Sequence, residues 1–306
     1  MMSRFKSAFM IGGMVVAWAI YYAVSKVMVS LTGSAFMAGF LLRTAALVFL
    51  TVQLIADGSF TRLFHQGRAV YILLLIGLFG FLLDLFANLG YMGGTLSTGT
   101  ALLKTDVLMV NLVTVIIYKK KLYASDWLGT LVMLGGVLLV LGIDFRGIDF
   151  NVFDLFFLAS AACVTANAFI IKAAQDKYHE DADMISYYNN FVVLTLFCTS
   201  SLISGDFSLP QVTGPGFWGL VALGGLGQTF IYYFYYRNLK RYEVWVVKLY
   251  LLLMPILSCF IGVFFLNETL TTGKIIGILI VLAGAAIILL RGKIHHEGGK
   301  SYASDR

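Results

Sequence analysis

The chain has 306 residues, 59% hydrophobic and only 12% charged, with a mean hydropathy of +0.87, and such a balance leaves too little polar surface to coat a soluble globule. Its net charge of +6 is explained by basic residues held on one set of membrane loops, with no basic patch left over for nucleic acid. Cys163, Cys198 and Cys259 fall inside apolar stretches and the four histidines in connections or the tail, which excludes a disulfide framework and any metal-ligand spacing.

A hydrocarbon core of about 30 Å needs roughly 20 apolar residues per helix. Ten such stretches occur, near 9–31, 34–56, 69–91, 97–118, 124–142, 152–174, 183–204, 216–238, 244–266 and 271–291. The first follows Arg4 and Lys6, lacks a small-residue cleavage site and leads straight into further spans, so it reads as a retained helix. With the outermost four residues of each span counted with the side they adjoin, sixteen of the 22 Lys and Arg residues lie on one side, two on the other and four deeper within the spans, which places both termini in the cytoplasm.

A charge at bilayer depth costs roughly 2.5 to 3.5 kcal/mol on insertion scales, so each one within a span needs a partner or a wet cavity. The first span carries Trp18, Tyr21, Tyr22 and Ser25 at helical spacing, then Lys26, close enough to the outer interface to snorkel. The second has Arg43 near the midplane. In the third, Asp84 heads a polar stripe with Asn88 and Tyr91 that can turn toward Arg43 or Lys104.

The fourth span, TGTALLKTDVLMVNLVTVIIY, holds Lys104 and Asp106 two residues apart, on different faces of a continuous helix. Lys104 is expected to face the interior, with Asn111 continuing its face and Asp106 pointing elsewhere. Three outer-half bases then meet two acids, leaving one spare cation that invites an anion. In the second half Asn167 lies in span 6, Asn189 and Asn190 in span 7, and Gln228, Tyr232, Tyr235 and Tyr236 in span 8, where Tyr236 fits an interfacial aromatic belt. Lys248, close to the cytoplasmic end of span 9, either snorkels or closes the inner end of an anion path.

The segment KKKLYASDWLGTLVMLGGVLLVL from Lys119 aligns with NETLTTGKIIGILIVLAGAAIILL from Asn267 at a constant offset of 148, so that Gly129 matches Gly277 and Gly136 matches Gly284. Gly77 and Gly80 match Gly224 and Gly227 at 147. An internal repeat of five spans follows, and an odd number of crossings gives the second copy opposite polarity. The expected fold is an all-α membrane protein of ten transmembrane helices in two inverted five-helix repeats, 1–146 and 147–292, with a cytoplasmic tail at 293–306. Gly129, Gly135, Gly136, Gly277 and Gly284 with their neighbouring alanines predict close helix approach.

A Leu-rich span, a short polar turn ending in Leu, then a W-L-G or I-I-G helix with a small-residue pair resembles the EamA-type drug/metabolite transporter superfamily, twice in register from Trp18 to Leu290. Where the superfamily has a Gly-Glu-Arg-Leu turn, this chain has Lys119-Lys120-Lys121-Leu122 and Asn267-Glu268-Thr269-Leu270; Pro255 is kept in span 9, with Val107 at its counterpart. The resemblance implies a carrier whose central cavity is lined by spans 1, 3, 4, 6, 8 and 9, with spans 5 and 10 outside as scaffold.

The expected function is secondary transport, by export or exchange, of a small polar metabolite such as an amino acid or organic anion. Partners would be the bilayer, a small-molecule substrate and a coupling proton or counter-substrate, with no cofactor and no nucleic acid. The expected location is a bacterial plasma membrane. Candidate substrate-binding residues are Lys104, Arg43, Asp84, Asn88, Tyr22, Asn111, Asn167, Gln228, Tyr232 and Lys248. A membrane enzyme or lipid-handling protein lacks a nucleophile and base at useful spacing, and a scaffold or sensor lacks a connection long enough to fold as a partner domain.

Overall fold

A computed structural model describes residues 4–65, 70–116, 124–140, 143–144, 147–148, 151–207, 213–242 and 244–303, and helix dominates among them. In chain order the helices are α1 (Arg4–Thr32), α2 (Ala35–Ala56), α3 (Val70–Gly93), α4 (Leu96–Leu102), α5 (Asp106–Ile116), α6 (Ala124–Val140) and α7 (Asp154–Lys177). They continue with α8 (Ala182–Ser204), α9 (Pro215–Ile231), α10 (Arg237–Arg241), α11 (Val244–Leu251), α12 (Leu253–Phe265) and α13 (Thr272–Ala303). A two-residue antiparallel ladder, Ile143–Asp144 against Gly147–Ile148, lies between α6 and α7.

Local chemistry sets the helix ends. Gly33 takes φ +65° after α1, a left-handed stop that costs glycine little, and Ser34 Oγ then accepts from Met37 N at 3.2 Å to cap α2. Pro215 opens α9, where its missing N–H is no loss. Four helices, α1 from Phe9, α2, α3 and α7, are each long and apolar enough to cross a membrane. Side chains such as Leu131 (64% exposed) and Phe265 (71% exposed) turn outward, an apolar surface that water would not tolerate and lipid does.

Three predicted spans are broken. In the fourth, a three-residue 3-10 turn, Leu103–Thr105, separates α4 from α5. In the ninth, α11 stops at Leu251 and α12 begins at Leu253, because Pro255 has no N–H for the Leu251 carbonyl. The repeat offset of 148 carries Lys104 onto Leu252, so the two breaks occupy equivalent places. In the eighth, Tyr232–Tyr236 widens into a π-helical turn between α9 and α10, a rare distortion that clusters at functional sites.

Helices of one half pack on helices of the other: α1 on α9 and α12, α2 on α8 and α9, α3 on α7 and α8, and α6 along α13. The α2–α8 pair runs antiparallel, with Ser34 bonded to Asp206 at one end, Arg43 to Asn190 in the middle and Gln53 to Asp183 at the other. The α6–α13 pair is antiparallel too. A Cβ on Gly284 would lie 2.6 Å from Met133 N and 2.8 Å from Gly129 O, and one on Gly136 would lie 2.7 Å from Val281 N, so backbone meets backbone along this seam. Gly135 departs from the expectation, since it faces open space and takes no part in the contact.

Candidate functional site

Two small chambers lie end to end where α1, α3, α7 and the broken spans converge. The first is bounded by Arg43, Asp84, Asn167, Asn189, Gln228, Tyr232, Tyr235 and Tyr236, among others. The second is bounded by Tyr22, Lys104, Asp106, Lys248 and the apolar Leu103, Leu251 and Met254. Trp18, Val164 and Tyr235 belong to both walls and form the partition between them. Each chamber has room for little more than a water molecule or two.

In the first chamber the charge is fully matched. Arg43 Nε donates to Asp84 Oδ2 at 2.9 Å, and its Nη2 donates to the same oxygen. Arg43 Nη1 donates to Tyr232 Oη and, at 3.3 Å, to Asn190 Oδ1, while Tyr21 Oη donates to Asp84 Oδ2 at 2.7 Å. The guanidinium also lies 5.7 Å from the Tyr21 ring and 5.6 Å from the Tyr232 ring, within cation–π range. Asn190 Nδ2 returns a bond to the Arg43 carbonyl at 3.0 Å, so repeat-equivalent positions 147 residues apart clasp each other.

The second chamber is charged and unbalanced. Lys248 Nζ donates to Asp106 Oδ2 at 2.5 Å, with both side chains at most 2% exposed. Helix geometry favours this pair: Asp106 stands in the first turn of α5 and Lys248 in the last turn of α11, each at the dipole end that stabilises its sign. Lys104, 4% exposed, has no hydrogen-bond or ion-pair partner among the described residues, although it borders the same chamber. Two cations thus face one carboxylate, and Asp106 Oδ1 has no partner either.

The structure brings together Arg43, Asp84, Asn167, Gln228 and Tyr232 in one chamber and Tyr22, Lys104 and Lys248 in the other. Asn88 borders neither: it accepts from Ser25 Oγ at 2.6 Å and donates to Ala35 O at 3.1 Å, tying α1, α2 and α3 together. The Asn111 side chain lies outside the described residues.

Several expectations change. Asp106 does not point away from Lys104, because the 3-10 turn between them ends the regular helix on which that separation was reckoned. Lys248 does not snorkel, since Asp106 holds it within the chamber. Lys26, half-buried, donates to Tyr91 O at 2.8 Å and Gly94 O at 2.6 Å, satisfying carbonyls at the end of α3 rather than reaching outward. Tyr236 is buried, accepts from Asn189 Nδ2 and lines the first chamber, so it is no interfacial belt residue. Spans 2 and 7 also reach the lining, through Arg43 and Asn189.

The polar and aromatic lining residues absent from the sequence-based candidates are Trp18, Asp106, Asn189, Tyr235 and Tyr236. For the three aromatics the signal was present: the stripes on spans 1 and 8 share the spacing of Tyr22 and Tyr232.

The model of the EamA-like transporter family matches the chain twice, over residues 5–142 and 152–290. No curated protein matches it. Twenty-nine solved chains do, among them one titled "Crystal structure of protein", which superposes with a TM-score of 0.65 at 18% identity, covering 95% of this chain and 99% of that one. At that identity the likeness extends to the fold.

Proposed function

Because this chain belongs to the EamA-like transporter family, whose members are membrane transporters, we propose that it is a secondary carrier of a small polar metabolite such as an amino acid or an organic anion, working by alternating access as an exporter or exchanger. The observation that carries the proposal is Lys104: a buried cation without a partner among the described residues, at a helix break, on a chamber where the one carboxylate among the described residues is already engaged by Lys248. A lone buried charge costs several kcal/mol. An arriving carboxylate offsets that cost, and broken helices are where secondary transporters place such sites.

The two halves, 1–146 and 147–292, would move against each other as ten spans in two inverted repeats. Support comes from the two family matches, from breaks at equivalent points, and from the antiparallel crossing of the repeat-equivalent helices α2 with α8 and α6 with α13. The water-sized chambers fit a closed conformation that must open to admit substrate. At one end Glu268 holds it shut, its Oε2 accepting from Ser97 N at 3.1 Å and Ser97 Oγ at 2.7 Å at the start of α4. Both termini would lie in the cytoplasm of a bacterial cell and the helices in its plasma membrane, with a proton or counter-substrate coupled to transport.

The test is a thermal-shift screen of purified protein over amino acids, organic acids, sugar phosphates and amines, followed by counterflow of each hit in proteoliposomes. Hits should be carboxylate-bearing, and Lys104→Gln should fold but lose their counterflow. Full counterflow by that variant would end the proposal.

A further inference from the structure

The partition between the chambers has an unusual feature. Trp18 and Tyr235 meet edge to face, ring centroids 5.9 Å apart, and both are more than nine-tenths buried. Neither Trp18 Nε1 nor Tyr235 Oη has a hydrogen-bond partner among the described residues. A buried donor without a partner costs about 1 to 3 kcal/mol, and here two stand side by side on the wall common to both cavities. No polar group among the described residues anchors these rings, so turning either one breaks no hydrogen bond with them. On the far side, Asn167 Oδ1 and Asn189 Oδ1 are likewise buried without partners among the described residues.

The chambers differ in charge. The second, with Lys104 and Lys248 against Asp106, carries one excess positive charge; in the first, Arg43 and Asp84 cancel, and the other polar groups are amides and phenols. An anion is favoured in one. A second anion in the other would meet a carboxylate and no free cation, so what fits there is uncharged and forms hydrogen bonds.

Resting on the carrier reading above, we propose that one substrate spans both chambers, and that its class is an elongated monoanion with a carboxylate at one end and an amide- or hydroxyl-like group at the other. The carboxylate goes to Lys104. The neutral end goes to Asn167 and Asn189, and the rings of Trp18 and Tyr235 part around the middle while their N–H and O–H donate to it. Trp18 and Tyr235 thereby set substrate length and become specificity-determining residues.

Thermal shift and competition on purified protein can test this with three matched sets of probes: the half-amides succinamate, glutaramate and adipamate, the corresponding dicarboxylates, and the corresponding diamides, with butyrate as a tail-less acid. The half-amides should bind more tightly than either other set, with an optimum at one chain length. Trp18→Phe and Tyr235→Phe, each of which keeps an aromatic ring and removes the N–H or O–H, should weaken the best half-amide by about three- to tenfold more than they weaken butyrate. Asn167→Leu should erase the preference for the amide end. Dicarboxylates binding as well as half-amides, both Phe variants binding like the parent, or no shift with any acid by folded protein would each overturn the inference. If acids bind through Lys104, shown by their loss in Lys104→Gln, but the tail has no effect, this inference falls and the carrier reading stands. If Lys104→Gln still binds them all, both fall.

Discussion

Replacing Arg43 by Gln should be among the most damaging single changes in the chain. Arg43 gives Asp84 two of its donors and also holds Tyr232 and Asn190, all at 3% exposure or less. Without it the Asp84 carboxylate keeps the Tyr21 hydroxyl at 2.7 Å and no counter-charge. Removing one partner of a buried ion pair costs about 3 to 5 kcal/mol, because the other is left as an uncompensated buried charge. At roughly 2 to 3 °C per kcal/mol for a chain of this size, melting should fall by about 6 to 15 °C. Asp84→Asn alone should be comparably harmful, leaving the guanidinium stranded. The double variant removes both charges, keeps side chains able to hydrogen bond, and should lose less than the sum of the two single losses, by a coupling of about 1 to 3 kcal/mol. Thermal unfolding of the four proteins in one detergent completes the cycle. Additive losses would refute the reasoning, since they would mean that Arg43 and Asp84 are stabilised by their separate surroundings rather than by each other.

Lys104→Gln should behave in the opposite way, lowering the melting temperature by less than Arg43→Gln does or even raising it, because it removes a buried cation that has no hydrogen-bond or ion-pair partner among the described residues. Lys248→Gln, by contrast, removes the hydrogen-bonded counter-charge of Asp106 but leaves Lys104 on the same chamber, so it should destabilise by less than the roughly 3 to 5 kcal/mol of a fully stranded charge; a larger loss in thermal unfolding would show that Lys104 does not compensate Asp106. Gly284→Ala should cost about 1 to 3 kcal/mol because its Cβ meets backbone atoms of Met133 and Gly129, whereas Gly135→Ala, facing open space, should be neutral or stabilising; equal effects in denaturation would argue against the α6–α13 seam. Glu268→Ala should loosen the start of α4, and a cysteine placed at Ser97 should then react faster with a soluble maleimide; an unchanged rate would show that Glu268 is no closure.

Hydropathy, charge asymmetry and the repeat were legible in the sequence because each is a property of the chain counted along its length. Apolar runs fix where helices can form, and the glycines at the 148 offset mark the seam where two of them touch. The sequence also identified the buried charges, since any Lys, Arg or Asp within an apolar run must be accounted for. It could not say which charge answers which. Arg43 and Lys104 were equal candidates for Asp84, and only the packing of α2 against α3 assigns Arg43 to it and leaves Lys104 alone. Lys248 finds Asp106 across 142 residues of chain, a distance over which local spacing carries no information. The breaks in spans 4 and 9 bring Lys104 and Asp106 to one chamber, while an unbroken helical count sends them to different faces. Pairing among buried charges is decided by three-dimensional proximity, and proximity between distant segments exists only once the helices have packed.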